Sequence, residues 1–240
     1  MPHPDFKFED APNTAAFCCR HVVEGDPILY VSHDRDGDWQ FLCGCDEHAS
    51  ADCVVLCLGD VVKRDASLNA LAKMCGGHFA ERPSSTAPWS ITDETERFIV
   101  ECIADPGWSV QMIAAGEGPD EPAFGYTIGL FHNYQQPELI VVGLRHELMH
   151  SMLNDVAQRI KDGKVLAVGE KLVDVLEGFD VTLREVRTKE SFKQHVGYAL
   201  WFYKGKPFPL FQLVWPDKQG RFPKEKGTSD GFNAQQPLLP

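Results

Sequence analysis

Apolar and polar residues along this chain fall into short runs separated by turn chemistry, and each run predicts an element. Residues 28–33 and 39–43 are strand-like runs flanking Asp34-Arg-Asp-Gly-Asp38, and Asp-Gly between two such runs marks a hairpin. Residues 53–58, Cys-Val-Val-Leu-Cys-Leu, form a continuous apolar run, the pattern of a buried strand. A short helix is predicted from Asp65 through Met74, stopped by Gly76-Gly77. Asp93 followed by Glu96 is a capping box for a helix through Ala104, which Asp105-Pro-Gly107 ends. Residues 108–113, 123–130 and 138–144 then read as strands, the last rich in β-branched residues and so buried. Residues 145–161 form an amphipathic helix, with Leu144, Leu148, Met152, Val156 and Ile160 four apart. Residues 179–186 alternate as a strand, 189–203 read as helical, and 210–215 as a final strand.

The segment Pro83-Ser-Ser-Thr-Ala-Pro88 has the composition of a linker. It divides the chain into a small α+β domain over residues 1–90 and a second α+β domain over 91–240. Each is expected to be a small mixed or antiparallel sheet with a few packed helices. All eight cysteines lie in the first 102 residues, an asymmetry that also points to two domains.

Composition sets limits on function. The 240 residues are 43% hydrophobic and 24% charged, enough for a buried core. No apolar run reaches the roughly 18 residues needed to span a bilayer. The first ten residues are polar and acidic and lack the form of a secretion signal, so a cytoplasmic location is expected. The net charge of −12 disfavours nucleic acid and anionic membranes and favours basic partners. Residues 1–92 carry fourteen acids against seven bases.

In a reducing compartment the cysteines are expected to be thiols. Cys43-x-Cys45, His48 and Cys53-x-x-x-Cys57 are an imperfect match to paired zinc knuckles. On a strand Cys53 and Cys57 share a face but stand about 13 Å apart, so they read as small core hydrophobes. Asp34, Asp36 and Asp38 imitate the start of a calcium loop, but glycine is at the fourth position and Cys45 at the twelfth, so a turn is expected.

One stretch has a reaction attached to it. His146-Glu-Leu-Met-His150 spells His-Glu-x-x-His, in which two histidines one helical turn apart bind zinc and the glutamate activates its water. Glu170 is the candidate third ligand. Against this, the motif lies in the first turn of its helix, where ends fray, with Glu147 turned toward the polar side. There is no glycine-rich phosphate loop and no Gly-x-Ser-x-Gly nucleophile elbow.

A set of blocks carries a resemblance: Tyr126-Thr-Ile-Gly-Leu130, Gln136-Pro-Glu-Leu139, Val141-Val-Gly-Leu144, Gly178, Ala199-Leu-Trp-Phe-Tyr203, Gln212-Leu-Val-Trp-Pro-Asp217, Gly220-Arg-Phe-Pro223 and Gln236-Pro-Leu-Leu239. In these, residues from about 123 to 239 resemble a bacterial family known as domain of unknown function 4262. The resemblance implies no activity. It also implies that proline usually occupies the position of His146, which would make the histidine pair particular to this chain. Tyr126, Thr127, His132, Gln212, Trp215 and Asp217 are its polar or amphipathic residues at strand ends, where binding sites are often lined.

Residues from about 17 to 89 more faintly resemble a bacterial domain found among toxin-neutralising immunity proteins. The carrying residues are Gly37-Asp-Trp-Gln-Phe-Leu-Cys-Gly44, residues 54–62, Asp65-Ala-Ser-Leu68 and Gly76 through Arg82, although Asp38 and Gln40 depart from that family's Gly-Trp-Arg-Phe run.

The expectation is therefore an α+β protein of two domains that acts as a non-catalytic, acidic, immunity-like protein-binding module. No cofactor is expected, the partner is a basic protein such as a toxin, and the oligomeric state is left open. The alternative is a zinc-dependent hydrolase with His146, His150 and Glu170 as ligands and Glu147 as base.

Overall fold

The computed structural model describes residues 6–45, 48, 52–118 and 121–240. It is a mixed α+β structure that divides into two compact units, Met1–Phe98 and Ile99–Pro240.

The first unit is built on a six-stranded sheet. Its strands are β1 (Ala15–Cys19), β2 (Tyr30–His33), β3 (Trp39–Leu42), β4 (Cys53–Cys57), β5 (His78–Glu81) and β6 (Ser90–Asp93), in the order β4-β1-β3-β2-β5-β6. The predicted hairpin is β2–β3: the Asp34 carboxylate accepts the Asp36 and Asp38 amides at 3.0 and 2.9 Å, and Gly37 takes φ +94. The three aspartates thus make a turn. Among the described residues of this sheet, β1 and β3 pair in parallel and the other neighbours are antiparallel. Two short helices, α1 (Arg20–Glu24) and α2 (Leu58–Arg64), follow β1 and β4, and a 3-10 turn covers Ala66–Leu71, where a helix to Met74 was predicted. Together they bury the sheet face carrying Ala16, Cys18, Val31, Trp39, Phe41 and Ala80.

The run at β4 differs from its reading as a buried strand. It is an edge strand paired only to β1 among the described residues, and Cys53, Val55 and Cys57 are exposed. An apolar run does not distinguish a central strand from an edge strand, because burial depends on neighbours in space. β6 pairs with β5, and three of its residues, Ile91, Thr92 and Asp93, lie beyond the sequence-based boundary at residue 90.

The division between the units falls inside α3 (Glu94–Ala104), whose first amides are capped by the Asp93 carboxylate as its capping box predicts. A second six-stranded sheet follows. Its strands are β7 (Ser109–Ile113), β8 (Phe124–Ile128), β9 (Glu138–Val142), β10 (Lys171–Leu176), β11 (Phe179–Val186) and β12 (Leu210–Val214). The order is β10-β11-β12-β9-β8-β7, with β12 and β9 parallel at its centre. Every residue of β9 and β12 is buried, because both faces of the sheet are covered.

On one face lies α5 (His146–Lys161), which buries Met149, Met152, Leu153, Val156, Ala157 and Ile160 against Leu139, Val141, Leu183, Phe211 and Leu213. On the other, Ile140, Val142 and Leu210 meet Ile99, Ile103, Val196 and Ala199. Each buried Val, Leu, Ile, Phe or Met side chain among these contributes about 1.5–3 kcal/mol. The predicted helix over 189–203 is two helices, α6 (Lys189–His195) and α7 (Gly197–Phe202), broken at Val196. The remaining helices are α4 (Leu130–Tyr134) and α8 (Asp230–Gln235). Among the described residues, no helix is long and apolar enough to cross a membrane.

Candidate functional sites

The residues singled out in the second unit fall into three places. At the start of β9, Glu138 is fully buried. Its carboxylate accepts the Thr127 hydroxyl at 2.6 Å, the Gly129 and Phe131 amides at 2.9 and 3.0 Å, and the Tyr203 hydroxyl at 2.5 Å. Burial, more than any other cause, pushes the Glu138 carboxyl above its ordinary value, while these four donors oppose the rise. Burial and the adjacent carboxylate raise the Tyr203 phenol. Thr127 is thus a strut inside the sheet. Tyr126 is 1% exposed, and its phenol is pushed up to about 12, chiefly by burial. His132 is exposed on α4, its amide donating to the Tyr203 hydroxyl.

At the other end, Gln212 and Trp215 fasten the C-terminal segment. The Gln212 side chain donates to the Pro237 carbonyl and accepts the Leu239 amide, both at 2.9 Å. Trp215 donates its indole N–H to the Val142 carbonyl at 2.8 Å, and Gln236 bonds both its amide and its carbonyl. Asp217 closes a turn onto Arg221, which holds its carboxyl below the ordinary value. The structure therefore joins Thr127 to Glu138, and Gln212 to Trp215 through the C-terminal segment, rather than gathering all six into one cleft.

His146, Glu147 and His150 are exposed at the start of α5. The imidazoles lie parallel, 3° between planes and 6.4 Å between centroids, so their in-plane lone pairs run side by side. Glu170 is bound by Lys164 and by the Ala167 amide, and the Lys164 bond is the main reason its carboxyl sits below the ordinary value. The structure does not bring these residues together as a group able to hold a metal.

The first unit presents two features side by side. One is the sheet face opposite its core. Register places Phe17 beside Val55 on β4 and Gln40 on β3, and Cys19 beside Cys53. Phe17 and Leu42 are half-buried and Val55 is 57% exposed. Phe17, Gln40, Leu42, His48, Asp52 and Cys53 are among the residues lining a shallow hollow of about 270 Å³ here.

The other feature is a cluster of sulfur and imidazole groups. Because β1 and β3 are parallel, their C-terminal ends emerge together, and Cys19 and His21 from the first meet Cys43, Cys45 and His48 from the second. The Cys43 sulfur lies 3.2 Å from the Cys45 sulfur, 3.5 Å from His21 Nδ1 and 3.4 Å from His48 Nε2. The Cys45 sulfur lies 3.6 Å from His21 Nδ1 and 3.4 Å from His48 Nε2. Cys19 accepts the Cys43 amide at 3.4 Å. Cys19, Cys43 and Cys45 form no disulfide. Cys18, in contrast, points into the core, and burial drives its thiol up to about 12. The sequence showed Cys43, Cys45 and His48 as neighbours. Cys19-x-His21 was the missing half, more than twenty residues earlier and joined to them only by strand pairing.

A family model described as domain of unknown function (DUF4262) matches residues 102–229, 128 of the 240. The match lies within the second unit and stops before the C-terminal segment that Gln212 and Trp215 fasten. No curated protein and no solved structure matches the chain.

Proposed function

The chain belongs to the DUF4262 family, and we propose that it is a non-catalytic, acidic binding protein that docks a basic protein on the open sheet face of its first unit. The observation that carries this reading is the row Val55–Phe17–Gln40, laid across three strands with apolar side chains left partly exposed. Exposed apolar groups on an edge strand are commonly reserved for a partner. The hollow of about 270 Å³ is small beside ligand pockets, which run to roughly 300–1,000 Å³, and it suits a single protruding side chain better than a cofactor. The acidic excess of residues 1–92 supplies attraction to a basic surface. This is how an immunity-like protein would cover a toxin.

The test is capture of basic proteins on the immobilised chain. Val55→Asp, which changes an exposed side chain, should reduce capture at least about tenfold without altering the melting temperature. Capture should also weaken between 50 and 500 mM salt, as screening shortens the Debye length from over 10 Å to roughly 4 Å. Equal capture by Val55→Asp, or capture indifferent to salt, would remove this reading.

A further inference from the structure

Five potential metal donors converge at the ends of β1 and β3, outside the family match; two of them, Cys19 and His48, also line the hollow of the proposed docking face, which does not explain why all five meet. We propose that Cys43, Cys45, His21 and His48 bind one Zn(II) ion in tetrahedral geometry, with Cys19, whose sulfur accepts the Cys43 amide, beside them and within 4.8 Å of the His21, Cys43 and His48 donor atoms.

The distances argue for a shared ion. With Zn–S near 2.3 Å and Zn–N near 2.0–2.1 Å, a tetrahedron of two sulfurs and two nitrogens has edges of about 3.3–3.8 Å. The four sulfur–nitrogen separations, 3.4 to 3.6 Å, match the sulfur–nitrogen edge of about 3.6 Å, while the sulfur–sulfur separation of 3.2 Å is shorter than the edge of about 3.8 Å between two zinc-bound sulfurs, so the two cysteines would spread by about 0.5 Å around the ion. That edge is far longer than a disulfide, about 2.05 Å.

Hydrogen bonding alone does not produce this arrangement. Five close contacts join four groups. Two thiols and two inward ring nitrogens carry at most four protons, and every proton on an inward nitrogen removes an acceptor. A cation at the centre satisfies all four lone pairs at once. Two thiolates and two neutral imidazoles are a typical structural zinc set, and they leave no open position for catalysis.

The backbone supports the assignment. Gly44, between the two cysteines, takes φ +80, a left-handed conformation that folds Cys43 and Cys45 toward one point. A Cβ there would also lie 3.1 Å from the Leu29 side chain. Cys19 is 2% exposed, and its sulfur takes the Cys43 N–H, a bond that orients the loop carrying both ligand cysteines. The ion would fasten the β1–α1 junction to the segment after β3, where no strand or helix holds the described residues Cys45 and His48.

The experiment is metal analysis of the full chain purified in zinc-supplemented medium, followed by replacement with Co(II). The expected result is close to one zinc per chain. The cobalt form should show the intense visible bands of a tetrahedral site and a near-ultraviolet thiolate charge-transfer band. Cys45→Ser and His48→Ala, both outside the core, should weaken zinc by more than about a hundredfold, whereas Cys19→Ser should weaken it about 10–100-fold while retaining one ion. His146→Ala/His150→Ala should leave the zinc content unchanged. Absence of zinc together with octahedral or absent cobalt bands in the folded wild-type chain would overturn the site. Zinc kept by Cys45→Ser but lost from Cys19→Ser would overturn the donor assignment. Because the readout is the metal itself, a failure here is separate from any failure of partner capture.

Discussion

A carboxylate wholly removed from water is sustained at Glu138 because four donors meet it, from Thr127, Gly129, Phe131 and Tyr203. Glu138→Ala would strand those donors in the interior and should cost about 3–4 kcal/mol in urea unfolding of the second unit. Glu138→Gln keeps an acceptor for most of them and should cost far less. The two also differ in pH dependence. Burial raises the Glu138 pKa, so the folded state holds the proton more tightly than the unfolded chain. The group then favours folding below the ordinary glutamate value of 4.5 and loses that contribution as pH rises through the folded value. The stability advantage of wild type over Glu138→Gln should therefore shrink from pH 4 toward neutrality; an advantage that grows with pH would contradict the assignment. In sequence, Glu138 is the first residue of a strand and part of one block of the family resemblance, and neither marks its burial, because its partners lie 7 to 65 positions away.

Elements show how far local patterning reaches. The helix at α5 was legible because its apolar spacing matches the helical period, and six of its side chains are indeed buried. The stripe is rotated, however. Leu144 and Leu148 are only half-buried, while Met149 and Leu153 are fully buried, since the sheet beneath decides which flank is covered. The turn from β9 into α5 depends on Gly143, with φ +84, where a Cβ would lie 1.9 Å from the Gln235 carbonyl oxygen. Gly143→Ala should cost roughly 3–4 kcal/mol, through strain and displacement of α8, measured by denaturation of the full chain. A cost below about 1 kcal/mol would mean that α8 is not held there. The break at Val196 was missed because residues 189–203 lack a proline or any strong stop signal; Gly197 is the only local hint.

At the scale of the whole molecule, the two units each carry their own sheet and core. Calorimetry should resolve two transitions. A zinc chelator should lower only the one belonging to the first unit, by several degrees, since loss of a metal bound only to the folded state removes its binding free energy. Glu138→Ala should lower only the other. A single transition shifted by both treatments would show that the units unfold together. The linker composition at residues 83–88 places a domain boundary near residue 90; the pairing of Ser90–Asp93 with β5, which no local signal announces, carries the first unit's sheet past that point.

The amino-acid order by itself determined the α+β class, the hairpin at Asp34–Asp38, the capped helix after Asp93, the run of strands and the long helix in the second unit, and the family resemblance of that unit. These depend on periodicity, turn residues and capping, all of which act within a few positions. Tertiary structure alone decided that β4 is an edge, that Glu138 is buried and satisfied, that His146 and His150 stand parallel on an exposed turn, and that Cys19 and His21 meet Cys43, Cys45 and His48. Each of these follows from which strands lie side by side, and strand order is set by long-range pairing and burial rather than by any neighbouring residue.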